Sequence, residues 1–212
     1  MMRLDLSAPD HTTLSRRGQH LDRTLRRVPT SEGLHLIVDS TGLSIVGEGE
    51  WAGVKHDRRG SRGWKKLHLA VDRSGVIVAH TLTEATIDDA TTAIELIHTF
   101  DGCVASVTGD AAYDSIAFYD AAGARGATVV VPPTHTLTVS RRRPRSTARD
   151  RTIKKVRAIG RRRWKQASGY HRQARVENVF FRYKSIIGDG LRARSPAGQR
   201  TEVVLACTSS TK

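Results

Sequence analysis

One stretch of the chain leaves its backbone little choice. Lys66 to Val71, KLHLAV, and Val76 to Thr83, VIVAHTLT, alternate apolar and polar residues on either side of Asp72, Arg73, Ser74 and Gly75. A period of two flanking a turn signal predicts a β-hairpin, hence an antiparallel pair. Three more short apolar runs extend the pattern: Leu34 to Val38, Val104 to Thr108, and Thr128 to Val131, the last stopped by Pro132 and Pro133. Helical signals fall between them. Asp88 caps a predicted helix from Asp89 to Phe100 with Ala90, Ala93, Ile94, Ile97 and His98 on its buried face, and a second helix runs from Ser115 to Gly123. The order β, β, β, α, β, α, β predicts an α/β domain with a mixed five-stranded sheet flanked by helices.

A further helical pattern, Tyr170 to Arg194, carries the residues of most chemical interest. At about 100° per residue, Val176, Phe180, Tyr183 and Ile187 form an apolar stripe, and Tyr170, Gln173, Glu177 and Lys184 line the face beside it. Glu177 is the one carboxylate in the basic first half of this stretch. As an isolated helical Glu it reads equally as a solvated residue or the partner of Arg172 or Arg175. Two aspartates change the weighing. Asp39 closes the first predicted strand and Asp110 follows the fourth within GDAAYDS, although either alone is what a turn-forming Asp looks like. Two strand ends and a facing helix can bring three carboxylates together, and hard divalent cations such as Mg²⁺ take oxygen ligands of this kind. A pair of such ions suits phosphodiester chemistry, where charge develops on attacking and leaving oxygens.

Charge placement points to the same substrate class. Residues 1–135 hold 14 Lys and Arg against 17 Asp and Glu, whereas residues 136–212 hold 21 against 4. The formal charge of +14 therefore originates wholly in the last third. A polyanion is the partner this implies, and the run from Ser140 to Lys165, with Arg161, Arg162, Arg163 and Lys165 at its end, is the predicted contact region. No apolar run has the length of a transmembrane helix, the basic segments have no broad apolar face, and the first residues lack a signal-peptide core, so a membrane partner is not expected and the reading is of a soluble intracellular protein. Cys103 and Cys207 make no disulfide framework, and the nine histidines are scattered without zinc-type spacing. A helix around Ile153 to Ile159 has little apolar surface to hold it. The loop Gly47 to Gly63 is rich in glycine and charge, and Trp51 and Trp64 at its ends read as loop anchors or as stacking platforms for an unpaired base.

The longer strings are more specific than the spacings. IVDSTGL around Asp39, GEGEW, RGSRGWKKLHLAVD, SVTGDAAYDS around Asp110, GRRRWKQASGYHRQARVE leading to Glu177, and FFRYKSIIGDGLRAR after it resemble the DDE transposases of bacterial insertion sequences, in particular the insertion-sequence-five family. The resemblance runs from about Leu4 to Arg194 and implies a ribonuclease-H-like catalytic domain over residues 34–194. Residues 136–168 are then a basic insertion before the last helix, residues 1–33 a helical lead-in, and residues 195–212 a short tail. It further implies two Mg²⁺ or Mn²⁺ ions held by Asp39, Asp110 and Glu177, which activate water and then a 3′-hydroxyl for strand cleavage and transfer. The DNA would be the element's terminal inverted repeats and its target, bound by a homo-oligomer in the bacterial cytoplasm and nucleoid. In the family's signature a tyrosine, an arginine, the glutamate and a lysine occur at fixed spacing. Tyr170, Glu177 and Lys184 fall in register here, with Gln173 at the arginine position. Glutamine has no bidentate grip on phosphate, so Arg172 or Arg175 is the expected substitute, with Tyr170 and Lys184 near the cleavage point. The family usually has a longer N-terminal region and a further helix after the last motif, and the chain reads as truncated at both ends. Gln173 and those ends also fit a DNA-binding remnant that no longer cuts; an unrelated Mg²⁺ phosphohydrolase would leave the basic third unexplained.

Overall fold

The computed structural model describes residues 10–18, 33–46, 63–134, 138–139 and 147–210. In chain order these form α1 (His11–Gly18), β1 (Leu34–Ile45), β2 (Trp64–Val71), β3 (Ile77–Glu84), α2 (Asp89–His98), β4 (Val104–Thr108), α3 (Ile116–Ala124), β5 (Thr128–Val130), α4 (Thr147–Ile159), α5 (Arg161–Ser168), α6 (Ala174–Ile186), β6 (Gly190–Leu191) and α7 (Pro196–Ser210). Two 3-10 turns, Ala111–Tyr113 and Tyr170–Gln173, precede α3 and α6.

The sheet runs β3-β2-β1-β4-β5, and β6 adds to the far end of β1. The hairpin is antiparallel, as the alternation predicts, while β4 and β5 join β1 in parallel. Because strand side chains alternate between faces, β1 feeds two cores. Leu36 and Val38 pack with Ala93, Ile97, Val107 and Phe118 beneath α2 and α3. Ile37 and Leu43 pack with Val176, Phe180, Tyr183, Val203 and Cys207 beneath α6 and α7. This six-stranded mixed sheet between helical layers agrees with the ribonuclease-H-like architecture that the resemblance implies.

Several expectations are corrected. Among the described residues six strands form, because the Tyr170–Arg194 pattern ends as a helix at Ile186: Gly188 has φ +113°, and Gly190 and Leu191 then pair with Ser44 and Ile45. The first strand continues beyond Val38 to Ile45, held by β2 along that length. The expected short tail is a 15-residue helix, and the helix carrying Glu177 is not the last. Its signal is easily missed, because small residues surround its buried Val203, Ala206 and Cys207. In α2 the buried residues are Ala90, Thr92, Ala93, Leu96 and Ile97, whereas His98 is exposed.

The basic stretch does form helices. Ile153 and Trp164 are its buried apolar anchors, and Arg149 bonds Asp114 through Nε at 2.8 Å in a pair that is nearly fully buried. Asp10 caps α1 by accepting from Thr13 N at 2.8 Å, and Gly18 at its other end accepts from Thr201 Oγ of α7. Most of the helical lead-in (residues 1–9 and 19–32), Trp51 and the 47–62 part of the long loop lie outside the described residues, as does all of Ser140–Arg145. Trp64, half exposed, lies over Gly42 of the neighbouring strand, and a methyl group built there would meet the indole at 3.2 Å.

Candidate active site

The parallel ladder between β1 and β4 ends at the pair Ile37 and Thr108. Asp39 and Asp110 each stand two residues beyond that pair, so chain direction carries both to the same end of the sheet. Asp39 is therefore within its strand: on one side it pairs with Leu69 of β2, and on the other, β4 has stopped and β6 does not begin until Ser44. The opening left in the sheet is where Asp39 sits. By alternation its side chain shares the face of Ile37, the face covered by α6.

Local bonds orient both aspartates. Asp39 Oδ1 accepts from Ser40 N at 2.8 Å. Asp110 caps the Ala111–Tyr113 turn, its Oδ1 accepting from Ala112 N at 2.8 Å. The turn-forming role and a role in chemistry are thus compatible in one residue. Gly109 before it admits no side chain, because a Cβ would come within 2.8 Å of the Tyr113 ring. That ring is buried against Phe118 and fixes how the chain leaves β4.

Glu177 occupies the first turn of α6, on the exposed side next to the buried Val176 and Phe180. Among the described residues neither Arg172 nor Arg175 pairs with it. Its charge is felt at Asp39. Burial pushes the Asp39 carboxyl up from 3.8 to about 6; the Ser40 N–H opposes this, and the charges of Asp110, Glu177 and Asp89 each add a smaller upward push. The same carboxylates act on Tyr170. Burial first, then Asp110, Glu177 and Asp39, raise its phenol above the ordinary range. Its ring lies 6.2 Å from that of Trp164, with Lys165 Nζ 4.8 Å from its centre. The end of the basic helices, Tyr170 and three carboxylates therefore share one electrostatic neighbourhood.

Two family models match the chain, each described as a transposase DDE domain, one over residues 30–211 and one over residues 1–48. The first spans most of the sequence. The chain belongs to the DDE transposase family. That membership implies a DNA substrate and divalent cations, and the residues at the open end of the sheet have suitable chemistry. Every donor is a carboxylate oxygen, and Asp39 is a partly buried acid with three like charges nearby, Asp110, Glu177 and Asp89, an environment in which a cation would be favoured. Among the described residues, however, no three acidic, histidine or cysteine side chains already form a cage for one ion. The exposed Glu177 is the member with room to reorient.

The transposase's other sequence-predicted residues divide by environment. Arg162, Arg163, Arg172 and Arg175 are exposed, and Lys165 and Lys184 are partly covered. Arg161 is also partly covered and donates to the Pro133 carbonyl, which ties α5 to the segment after β5. Gln173 is buried rather than presented to solvent. The buried Arg149–Asp114 pair was not legible from the sequence. Asp114 also accepts from Thr134 N at 3.1 Å, so the loop that follows Asp110 holds both α4 and the chain leaving β5. The only hint is the position of Asp114 in GDAAYDS, four residues after Asp110. No helix among the described residues is long and apolar enough to cross a membrane.

Proposed function

We propose that the chain catalyses metal-dependent DNA strand cleavage and strand transfer at the ends of an insertion sequence of the insertion-sequence-five family. The observation that carries this reading is that β1 and β4 bring Asp39 and Asp110 to the same end of the sheet, with α6 and its Glu177 covering the face of β1 that bears Asp39. These three residues would hold two Mg²⁺ or Mn²⁺ ions. Bound there, the ions supply Lewis acidity and neutralise charge developing on the scissile phosphate.

The protein's own groups do the positioning. Exposed Arg162, Arg163, Arg172 and Arg175 grip the phosphate backbone, and Lys184, two turns after Glu177 on one face of α6, adds a further phosphate contact along the same helix. Tyr170, clasped by Trp164 and Lys165, presents its hydroxyl at the edge of the acidic cluster. The DNA is then the element's terminal inverted repeats followed by target DNA, held by a homo-oligomer within the nucleoid.

Asp110→Asn keeps an oxygen for the Ala112 N–H but removes the charge. Purified protein with Mg²⁺ or Mn²⁺ is expected to nick and join DNA bearing the terminal repeats, and this variant to lose both activities while still binding DNA. Undiminished cutting by Asp110→Asn would remove that residue from the site. A second reading, a DNA-binding remnant, is favoured by Gln173 in place of the family's arginine. It predicts salt-sensitive DNA binding and no cutting by the unaltered chain.

A further inference from the structure

The turn Tyr170–Gln173 touches both β1 and β4, and so it plugs the place where those strands part. At that point Gln173 is only 4% exposed, and its Nε2 donates to the main-chain carbonyl of Val38 at 3.3 Å. Val38 lies just past the last β1–β4 rung, where a longer β4 would have continued the ladder. The amide of Gln173 thus takes over a role that main chain would otherwise fill. Two consequences follow from the residues on either side. Val38 precedes Asp39, and Gln173 is four residues, about one helical turn, before Glu177. A single bond therefore joins the carrier of one outer carboxylate to the carrier of the other. The cost is visible in the same side chain, whose Oε1 is buried with no hydrogen-bond partner among the described residues. An apolar residue of similar volume would leave no such orphan acceptor, so burying an amide here is explained better by what its donor holds than by packing alone.

We propose that Gln173 is a positioning residue for cation binding: through the Val38 carbonyl it sets the approach of α6, and with it Glu177, to Asp39. This rests on the metal-site reading above. Position 173 then serves the spacing between carboxylates, and phosphate contact belongs to the exposed Arg172 and Arg175.

The test measures Mn²⁺ binding to the DNA-free protein by loss of the free-ion paramagnetic resonance signal, with the folded fraction followed by circular dichroism in the same samples. Asp110→Asn defines non-specific binding. Gln173→Met keeps the length and removes the donor; Gln173→Asn keeps the donor and is one methylene too short to reach. Both are expected to remain folded and to bind Mn²⁺ about tenfold more weakly than the unaltered chain. Wild-type affinity in either folded variant would overturn the proposal, as would loss of folding in both, which would make the residue structural. If the unaltered chain binds no more Mn²⁺ than Asp110→Asn does, the metal-site reading fails and takes this proposal with it.

Discussion

Replacing Asp39 by Asn should stabilise the cation-free fold while removing a ligand from the site. The Asp39 carboxyl has a folded-state pKa of about 6 against an ordinary 3.8, chiefly through burial and secondarily through Asp110 and Glu177. At about 1.4 kcal/mol per pKa unit, a displacement of that size sets about 3 kcal/mol against the ionised form at neutral pH. Asparagine has no charge to desolvate, and its Oδ1 can still accept from Ser40 N. The sign follows from linkage. Below about pH 3.8 Asp39 is protonated in both folded and unfolded chains, and the two proteins should be equally stable as far as this group is concerned. As pH rises from there to about 6, the unfolded chain releases its proton before the folded one, and the unaltered protein loses stability relative to the variant. Above 6 the gap is constant. Urea unfolding in EDTA, followed by tryptophan fluorescence between pH 4 and 8, measures it, provided the slope with urea is the same in both proteins. The expected gain is up to about 3 kcal/mol at pH 7.5, equivalent to about 6–12 °C in Tm for a chain this long. Buried His68 and partly buried His80, whose desolvated rings are held below their ordinary pKa, destabilise both proteins as pH falls and cancel in the comparison. A variant no more stable than the parent at pH 7.5, or a gap independent of pH, would refute the electrostatic account of Asp39.

Arg149→Ala should leave the fully buried Asp114 carboxylate without its guanidinium, at a cost of about 3–5 kcal/mol. Urea unfolding together with limited proteolysis within 134–160 checks whether α4 loosens first, and a loss under 1 kcal/mol would show that the pair contributes little. The doubly substituted Arg162→Ala, Arg163→Ala protein should bind DNA more weakly regardless of sequence, because both side chains are exposed on α5. In titrations across salt, the slope of log affinity against log salt should flatten by about 0.9 for each phosphate that is no longer neutralised; an unchanged slope would show that these arginines do not reach the DNA backbone.

Five of the strands were legible in chain order because turn residues bound them, and the hairpin identified one antiparallel pair directly; their order across the sheet was not legible. The length of β1 was not. Asp39, Ser40, Thr41 and Gly42 have the composition of a turn, and they remain extended because β2 pairs with every one of them, a tertiary preference that overrides local propensity. The same limit hid β6, whose two residues acquire strand geometry only against Ser44 and Ile45. Glu177 was legible from periodicity, since the stripe Val176, Phe180 and Tyr183 is buried as expected. Gln173 was not, for a physical reason. Its place beside the stripe suggests a surface, but the chain enters α6 through a 3-10 turn, whose tighter winding rotates residue 173 inward.

The correction to β1 alters how the site can work. Had Asp39 ended its strand, it would have stood on a turn like Asp110, and both acids could have shifted with their loops. As a mid-strand residue paired to Leu69, it is held by the sheet, while Asp110 is held by its cap and by the Tyr113 ring against Gly109. Only Glu177, exposed on a helix, has freedom to approach. Two fixed acids and one adjustable one give a graded electrostatic problem: bringing Glu177 inward without positive charge adds to a repulsion already evident at Asp39, so closure is unfavourable until cations arrive. The absence of a ready cage among the described residues is then what like charges in a partly desolvated site should produce. The nearby basic helices do not relieve this. Arg149 is paired with Asp114, and the exposed arginines of α5 remain available to phosphate. In the proposed function, cation uptake and DNA uptake fall to different side chains on adjacent elements, which is why Asp110→Asn is expected to separate cutting from binding.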